Sequence, residues 1–343
     1  MSSSTSAETP LAPGRLLITG FRGTQIGDPE VDQVCRFLEA GISAGVILLR
    51  RNCTSPDQIS RLSRAFRDAA GGLTPVISVD QEGGRVARLD GRNGFLNWMS
   101  ADSIAKSGMS EEEIQAYWTE RAWQLSQVGI NLNFAPVVDL DVNSKNPIIG
   151  RLGRAFGSDP LEVSRMAQLF VGAHRSAGVK TSLKHFPGHG SSSTDSHKET
   201  ADVSQSWRPN EIHPYVDLVR AGFVDSVMCG HLLHADYSDE PWIPTSLSWR
   251  SVSAIRSLGF LGPIFTDDMQ MASIEDILPQ EAAAEAAVNA GNTFLIYSNY
   301  RSSDRIDKVD RISKALTNGM DRMSQASVAQ QIALAGAFRS TLR

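Results

Sequence analysis

The segment 184–197 reads Lys-His-Phe-Pro-Gly-His-Gly-Ser-Ser-Ser-Thr-Asp-Ser-His and gathers three of the chain's seven histidines beside a lysine and an aspartate. It has few large apolar residues to bury those rings, so packing accounts poorly for the cluster. Acid–base chemistry accounts for it better. Asp195 and His197 are two residues apart, so on an extended loop their side chains point to the same side and can hydrogen-bond. A carboxylate beside an imidazole fixes its tautomer and favours its protonated form. His197 is therefore a candidate general acid/base, with Asp195 as its orienting partner. The plainer alternative is an exposed polar turn in which Asp195 caps a local backbone N–H.

A second acidic pair, Asp267-Asp268, follows the apolar run Pro263-Ile264-Phe265-Thr266. Alternation along a strand should send only one of the two inward, and the pattern alone does not choose. An aspartate pair opening a helix is the ordinary structural reading. Asp80, Lys184 and His185 also stand at the ends of apolar runs. Together they suit a polyhydroxylated ligand, because aspartate accepts from adjacent hydroxyls while lysine donates to them. His231 either lines the same site or is a satisfied core histidine. Zinc held by His185, His189, His197 and Asp195 is a competing chemistry, but His-x-x-x-His on a Pro/Gly loop lacks the helical i, i+4 geometry that converges two imidazoles. No metal is expected.

These groups need a frame. Eight short apolar runs read as strands, at 16–20, 46–50, 75–80, 131–140, 181–186, 226–231, 262–267 and 293–298. Most are nearly continuous rather than alternating, the pattern of parallel strands covered on both faces. Helical patterns separate them at 31–40, 55–70, 111–128, 160–177, 210–221 and 280–290, and two more follow at 303–316 and 324–340. Pro56, Pro160 and Pro209 sit where helices begin, and Gly41, Gly129, Gly178, Gly222 and Gly291 just past where they end. Eight β/α repeats predict an α/β fold, a single-domain (β/α)8 barrel over 11–343, preceded by a disordered tail at 1–10. An open doubly wound sheet is the alternative, but no Gly-x-Gly-x-x-Gly follows the first strand. Asp80, Lys184, His185, His231 and Asp267 all fall at carboxyl ends of predicted strands, the rim on which barrel enzymes build their sites.

Composition agrees with one large core, at 343 residues, 41% hydrophobic and 21% charged. A net charge of −5 and the lack of any Lys/Arg run argue against nucleic acid. No apolar stretch approaches the roughly 20 residues of a membrane span. The polar start Met-Ser-Ser-Ser-Thr-Ser does not read as a secretion signal, so the expected location is cytoplasmic. Cys35, Cys53 and Cys229 are odd in number and widely spaced, as reduced core cysteines would be.

The 184–197 segment resembles the signature of family 3 glycoside hydrolases, specifically the single-domain β-N-acetylglucosaminidases of bacterial cell-wall recycling. Four further stretches resemble motifs of that family in order: Ser78-Val-Asp-Gln-Glu-Gly-Gly-Arg-Val86, Asn133-Phe-Ala-Pro-Val-Val-Asp139, the 150–160 loop with Arg154-Ala-Phe-Gly157, and Thr266-Asp-Asp-Met-Gln-Met271. The resemblance implies a nucleophilic role for Asp267 and sugar contacts from Asp80, Arg88, Arg154, Lys184 and His185. It implies a small carbohydrate substrate, an N-acetylglucosaminyl muropeptide or chitooligosaccharide, with no cofactor. Read from the residues alone, Arg88 pairs equally well with Asp90 or Glu82, and Arg154 with Asp159. One departure is Ser191-Ser192, where the family usually has Asp-Thr. A phosphorylase is an alternative within the family, since a histidine acid/base is neutral after giving its proton and repels phosphate less than a carboxylate would. A non-catalytic sugar-binding protein could have lost Asp267 or His197, yet both are present. Trp207 and Trp242, in loops after the fifth and sixth strands, are the candidate stacking tryptophans.

Overall fold

The computed structural model describes residues 12–143, 145–195 and 200–343. His197 and the 1–10 tail lie outside the described residues. Eight parallel strands close a barrel: β1 (Leu17–Thr19), β2 (Gly45–Leu48), β3 (Val76–Val79), β4 (Leu132–Asn133), β5 (Lys180–Phe186), β6 (Ser226–Cys229), β7 (Ile264–Asp268) and β8 (Phe294–Tyr297). Each pairs with its neighbours in sequence, and β8 returns to β1 in the register Leu17↔Leu295 to Thr19↔Tyr297. All eight predicted strands are present. The fourth is far shorter than the predicted 131–140, because Pro136 has no N–H to give the ladder and the chain past it continues the β5 ladder only as an isolated Val137↔Lys184 bridge.

Helices cover the outside. Pro29–Glu39, Pro56–Ala70, Glu111–Gln127, Pro160–Ser176, Gln280–Ala290, Asp307–Asn318 and Gln325–Ser340 match predicted helices within a few residues. The predicted 210–221 helix instead begins as a 3₁₀ turn, Pro209–Ile212, before the α-helix His213–Arg220. The short helices Ala101–Ala105, Trp249–Ser257 and Ala272–Glu275 had no predicted counterpart. No helix among the described residues is long and apolar enough to cross a membrane.

The barrel interior is filled by Ile47, Phe134, Met228, Phe265, Phe294 and Ile296, all at most 4% exposed. Phe265 sits between Phe134 in an edge-on contact at 5.2 Å and Phe294 stacked at 4.7 Å. This plug seals the barrel below the carboxyl ends of the strands, so a cavity there opens only at the rim. Val46 and Leu48 flank Ile47 and pack outward with Phe21, Val31 and Leu62, as period-2 alternation requires.

Two strands break that alternation at the rim. In β5, Leu183 pairs with Val227 but Phe186 pairs with Cys229, three steps against two. In β7, Phe265 pairs with Phe294 but Asp268 with Ile296, again three against two. Each irregularity is a bulge, which lets consecutive side chains face one way. Lys184 with His185, and Asp267 with Asp268, are thereby brought to one cavity.

Candidate active site

A cavity of about 480 Å³ lies at this rim, bordered among others by Asp80, Glu82, Arg88, Arg154, Lys184, His185, Asp195, Asp267 and Asp268. Seven of the eight expected site residues therefore converge; the eighth, His197, lies outside the described residues. Along one wall the charges alternate. Arg88 donates to Asp80 at 3.2 Å, Lys184 to Asp80 at 2.9 Å and to Glu82 at 2.6 Å, and Arg154 grips Glu82 through two bonds of 2.7 and 2.8 Å. Arg154 continues to His185 Nε2 at 3.3 Å, and His185 Nδ1 meets Asp139 at 2.6 Å. Guanidinium groups only donate, so Nε2 is the acceptor and Nδ1 the protonated nitrogen that Asp139 receives. Asp139 also accepts the backbone N–H groups of His185 and His189 at 3.1 and 2.8 Å, which fixes the ring edge that faces Arg154.

Burial separates positioning from contact. The Glu82 and Arg154 side chains are 5% and 9% exposed, whereas Asp80 and Arg88 are 18% and 26% exposed. Burial opposes ionisation of Glu82, but the Arg154 and Lys184 charges outweigh it and hold the carboxyl well below the usual range. For Asp80 burial is likewise overcome by Lys184 and Arg88, and its carboxyl is also lowered. The surface pairings that stood as the alternative to sugar contact for the two arginines do not form. Arg154 pairs with Glu82, 72 residues away, rather than Asp159, and Arg88 with Asp80 rather than Asp90 or Glu82. Asp159 caps the helix that starts at Pro160, and Asp90 binds Arg50 and Arg92. Glu82 to alanine would strand Arg154 in the wall and leave Lys184 with Asp80 alone; breaking a buried pair this way costs about 3–5 kcal/mol. Chemical denaturation of Glu82→Ala should show an unfolding free energy lowered by that order, and an unchanged one would mean the wall tolerates an unpaired Arg154.

The two aspartates of β7 differ in what they hold. Asp268 accepts the N–H groups of Gln270 and Ser298 at 3.2 and 3.1 Å and pairs with the Ser298 hydroxyl, while burial pushes its carboxyl up to about 6. Asp267 Oδ1 accepts the N–H of Asp268 at 2.8 Å. His231 turns out to be a core residue, its Nδ1 at 2.6 Å from Ser246 Oγ and its Nε2 at 2.9 Å from the Asp268 carbonyl, so it steadies the backbone under the pair. Neither Trp207 nor Trp242 borders the cavity; Trp207 packs on His234 and Tyr237.

The loop leaving β5 is pinned at its base. Asn146 donates to the carbonyls of His189 and Gly190 at 2.7 and 3.0 Å, and Glu211 accepts the Ser191 N–H at 3.2 Å. A Cβ at Gly190 would lie 1.8 Å from the Leu140 carbonyl oxygen, so only glycine fits there. Ser191 and Ser192 are buried, and burial already pushes Glu211 up to about 7. An uncharged Ser191 beside that carboxyl avoids a second buried charge. Among the described residues no group of three His, Cys, Asp or Glu is placed to hold a metal ion.

Sequence reasoning gave Asp139 no role of its own and Glu82 only a pairing with Arg88 and a reserve place as proton donor. A signal existed for Glu82, since it stands two residues past Asp80 at the same strand end. Asp139 carried no comparable local signal, because its partner His185 lies 46 residues on.

Residues 25–333 match the glycosyl hydrolase family 3 N-terminal domain. A β-hexosaminidase of Tolumonas auensis is 36% identical over 295 residues, which cover 83% of each chain. A glycoside hydrolase family 3 β-N-acetylglucosaminidase from Paenibacillus sp. str. FPU-7 superposes with a TM-score of 0.87 at 28% identity, covering 96% of this chain and 62% of that one, so the chain spans less than two thirds of that protein. A family 3 glycosyl hydrolase from Mycobacterium smegmatis superposes over 98% of this chain and 99% of its own with a TM-score of 0.84 at 25% identity. The barrel, the rim site and the match over 25–333 agree: the chain belongs to glycosyl hydrolase family 3.

Proposed function

We propose that the protein is a retaining exo-β-N-acetylglucosaminidase that removes a non-reducing terminal N-acetylglucosamine from muropeptides or related β-glycosides. The observation that carries this reading is the Asp267 carboxylate in a cavity closed below by Phe134, Phe265 and Phe294 and walled by Asp80, Arg88 and Lys184. A pocket sealed at one end admits a chain terminus and not a chain interior. Asp80 accepts from sugar hydroxyls while Lys184 and Arg88 donate, and Glu82, Arg154 and Asp139 hold Lys184 and His185 in place.

In the first step an Asp267 carboxylate oxygen attacks the anomeric carbon as the bond to the leaving oxygen breaks, and His197 gives that oxygen its proton. In the second step neutral His197 takes a proton from water, the hydroxide oxygen attacks the anomeric carbon, and Asp267 leaves as carboxylate. Two inversions give net retention. Asp195, which borders the same cavity, orients the imidazole. Similarity to the Tolumonas β-hexosaminidase supports the N-acetylhexosaminide class. Comparing p-nitrophenyl β-N-acetylglucosaminide with the matching β-glucoside tests it. The N-acetyl substrate should have the higher kcat/KM by at least about tenfold; a preference for the glucoside overturns the substrate class.

A further inference from the structure

Of the seven exposed large hydrophobic side chains among the described residues, Tyr300 alone borders the cavity, at 71% exposure. A single exposed aromatic is ordinary on a protein surface. The backbone beneath this one is not ordinary. Arg51 donates to the carbonyls of three consecutive residues, Ser298, Asn299 and Tyr300, at 3.1, 2.6 and 2.9 Å. Asn299 has a φ of +50°, the only positive value outside glycine among the described residues, and is buried. Its amide reaches the Gly20 carbonyl at 2.7 Å and its N–H the Gln270 side chain at 2.7 Å. Arg22 then holds the Arg301 carbonyl at 2.6 Å. The bonds from Ser298 to Asp268 would explain order at Ser298 alone. Pinning that runs on through 299, 300 and 301 fixes the direction in which Tyr300 leaves the barrel.

The position of that ring sorts its possible ligands. The charged wall arises from β3, β4 and β5 and their loops and already supplies partners for the hydroxyls of the terminal sugar. Tyr300 follows β8, which lies hydrogen-bonded between β7, bearing Asp267, and β1. It is at the open mouth, the direction in which a leaving group projects from a pocket closed below. Leu49 and Met271 border the cavity as well and are apolar. A rigid, exposed phenol at the border of a cavity that also has apolar lining matches the C–H face of a pyranose ring, which stacks on aromatics in this way.

We propose that Tyr300 is the stacking platform of a leaving-group subsite, taking the second sugar residue of the substrate; this rests on the glycosidase reading above. The test compares N,N′-diacetylchitobiose with methyl β-N-acetylglucosaminide, whose leaving group is too small to stack, in the wild type, Tyr300→Phe and Tyr300→Ala. Tyr300→Ala should lose about tenfold in kcat/KM on the disaccharide and much less on the methyl glycoside, while Tyr300→Phe stays near wild type on both. Equal losses on the two substrates would place Tyr300 with the terminal sugar or the fold and overturn the subsite, as would an unchanged ratio of the two. A folded wild type that cleaves neither substrate would overturn the proposed function itself and the subsite with it.

Discussion

Asp267→Ala should leave a folded barrel that turns over at no more than about a thousandth of the wild-type kcat, because removing the proposed covalent nucleophile raises the barrier by about 4 kcal/mol or more. Folding survives since the carboxylate stands at the cavity and is not part of the aromatic plug below. The informative control is its neighbour. Asp268 spends its oxygens on Ser298 and Gln270, and burial already pushes its carboxyl up to about 6. Asp268→Asn imitates the protonated form: the amide oxygen still accepts the two N–H groups and the amide nitrogen donates to the Ser298 hydroxyl. That variant should keep more than about a tenth of the activity. Steady-state kinetics on an activated aryl substrate, with thermal melts of both variants, decide the matter. If folded Asp268→Asn is the more damaged of the two, the nucleophile has been misassigned.

That the two aspartates needed separate treatment shows where sequence patterns stop. Nearly continuous apolar runs and Pro/Gly punctuation made the eight strands legible, because a parallel barrel strand is buried on both faces and says so locally. Pro56 and Pro160 open helices where predicted, and Gly41, Gly129 and Gly291 end them at positive φ. Alternation predicted one inward side chain from Asp267-Asp268, and it fails at a bulge that no local pattern marks, whereas Lys184 and His185 both reach the cavity as expected. The Glu82–Arg154 pair was missed for a different reason. It joins loops 72 residues apart, and only closure of the barrel makes them neighbours. Surface pairings such as Arg154 with Asp159 were the nearest choice in sequence, yet Asp159 is committed to its own helix. Helix Ala101–Ala105 was too short for its periodicity to register.

The acid/base assignment predicts a loss that depends on the leaving group. If His197 donates the proton, leaving groups such as dinitrophenolate depart with little help, whereas an alkoxide of a second sugar does not. His197→Ala should then lose about 10²–10⁴-fold in kcat/KM on poor leaving groups and far less on activated ones. With activated substrates the glycosyl-enzyme should accumulate, since its hydrolysis still needs a base to take a proton from water. Asp195→Ala should follow the same trend more mildly, because it removes the partner that orients the imidazole and leaves the imidazole itself. The measurement is kcat/KM across a series of aryl β-N-acetylglucosaminides for the wild type and both variants, plotted against leaving-group pKa. A steeper dependence in His197→Ala is the expected signature. Equal losses across the series would assign His197 to sugar positioning and send the proton donor elsewhere in the cavity. Glu82 could not fill that place, held ionised by Arg154 and Lys184, nor could His231, whose two ring nitrogens are committed to Ser246 and the Asp268 carbonyl.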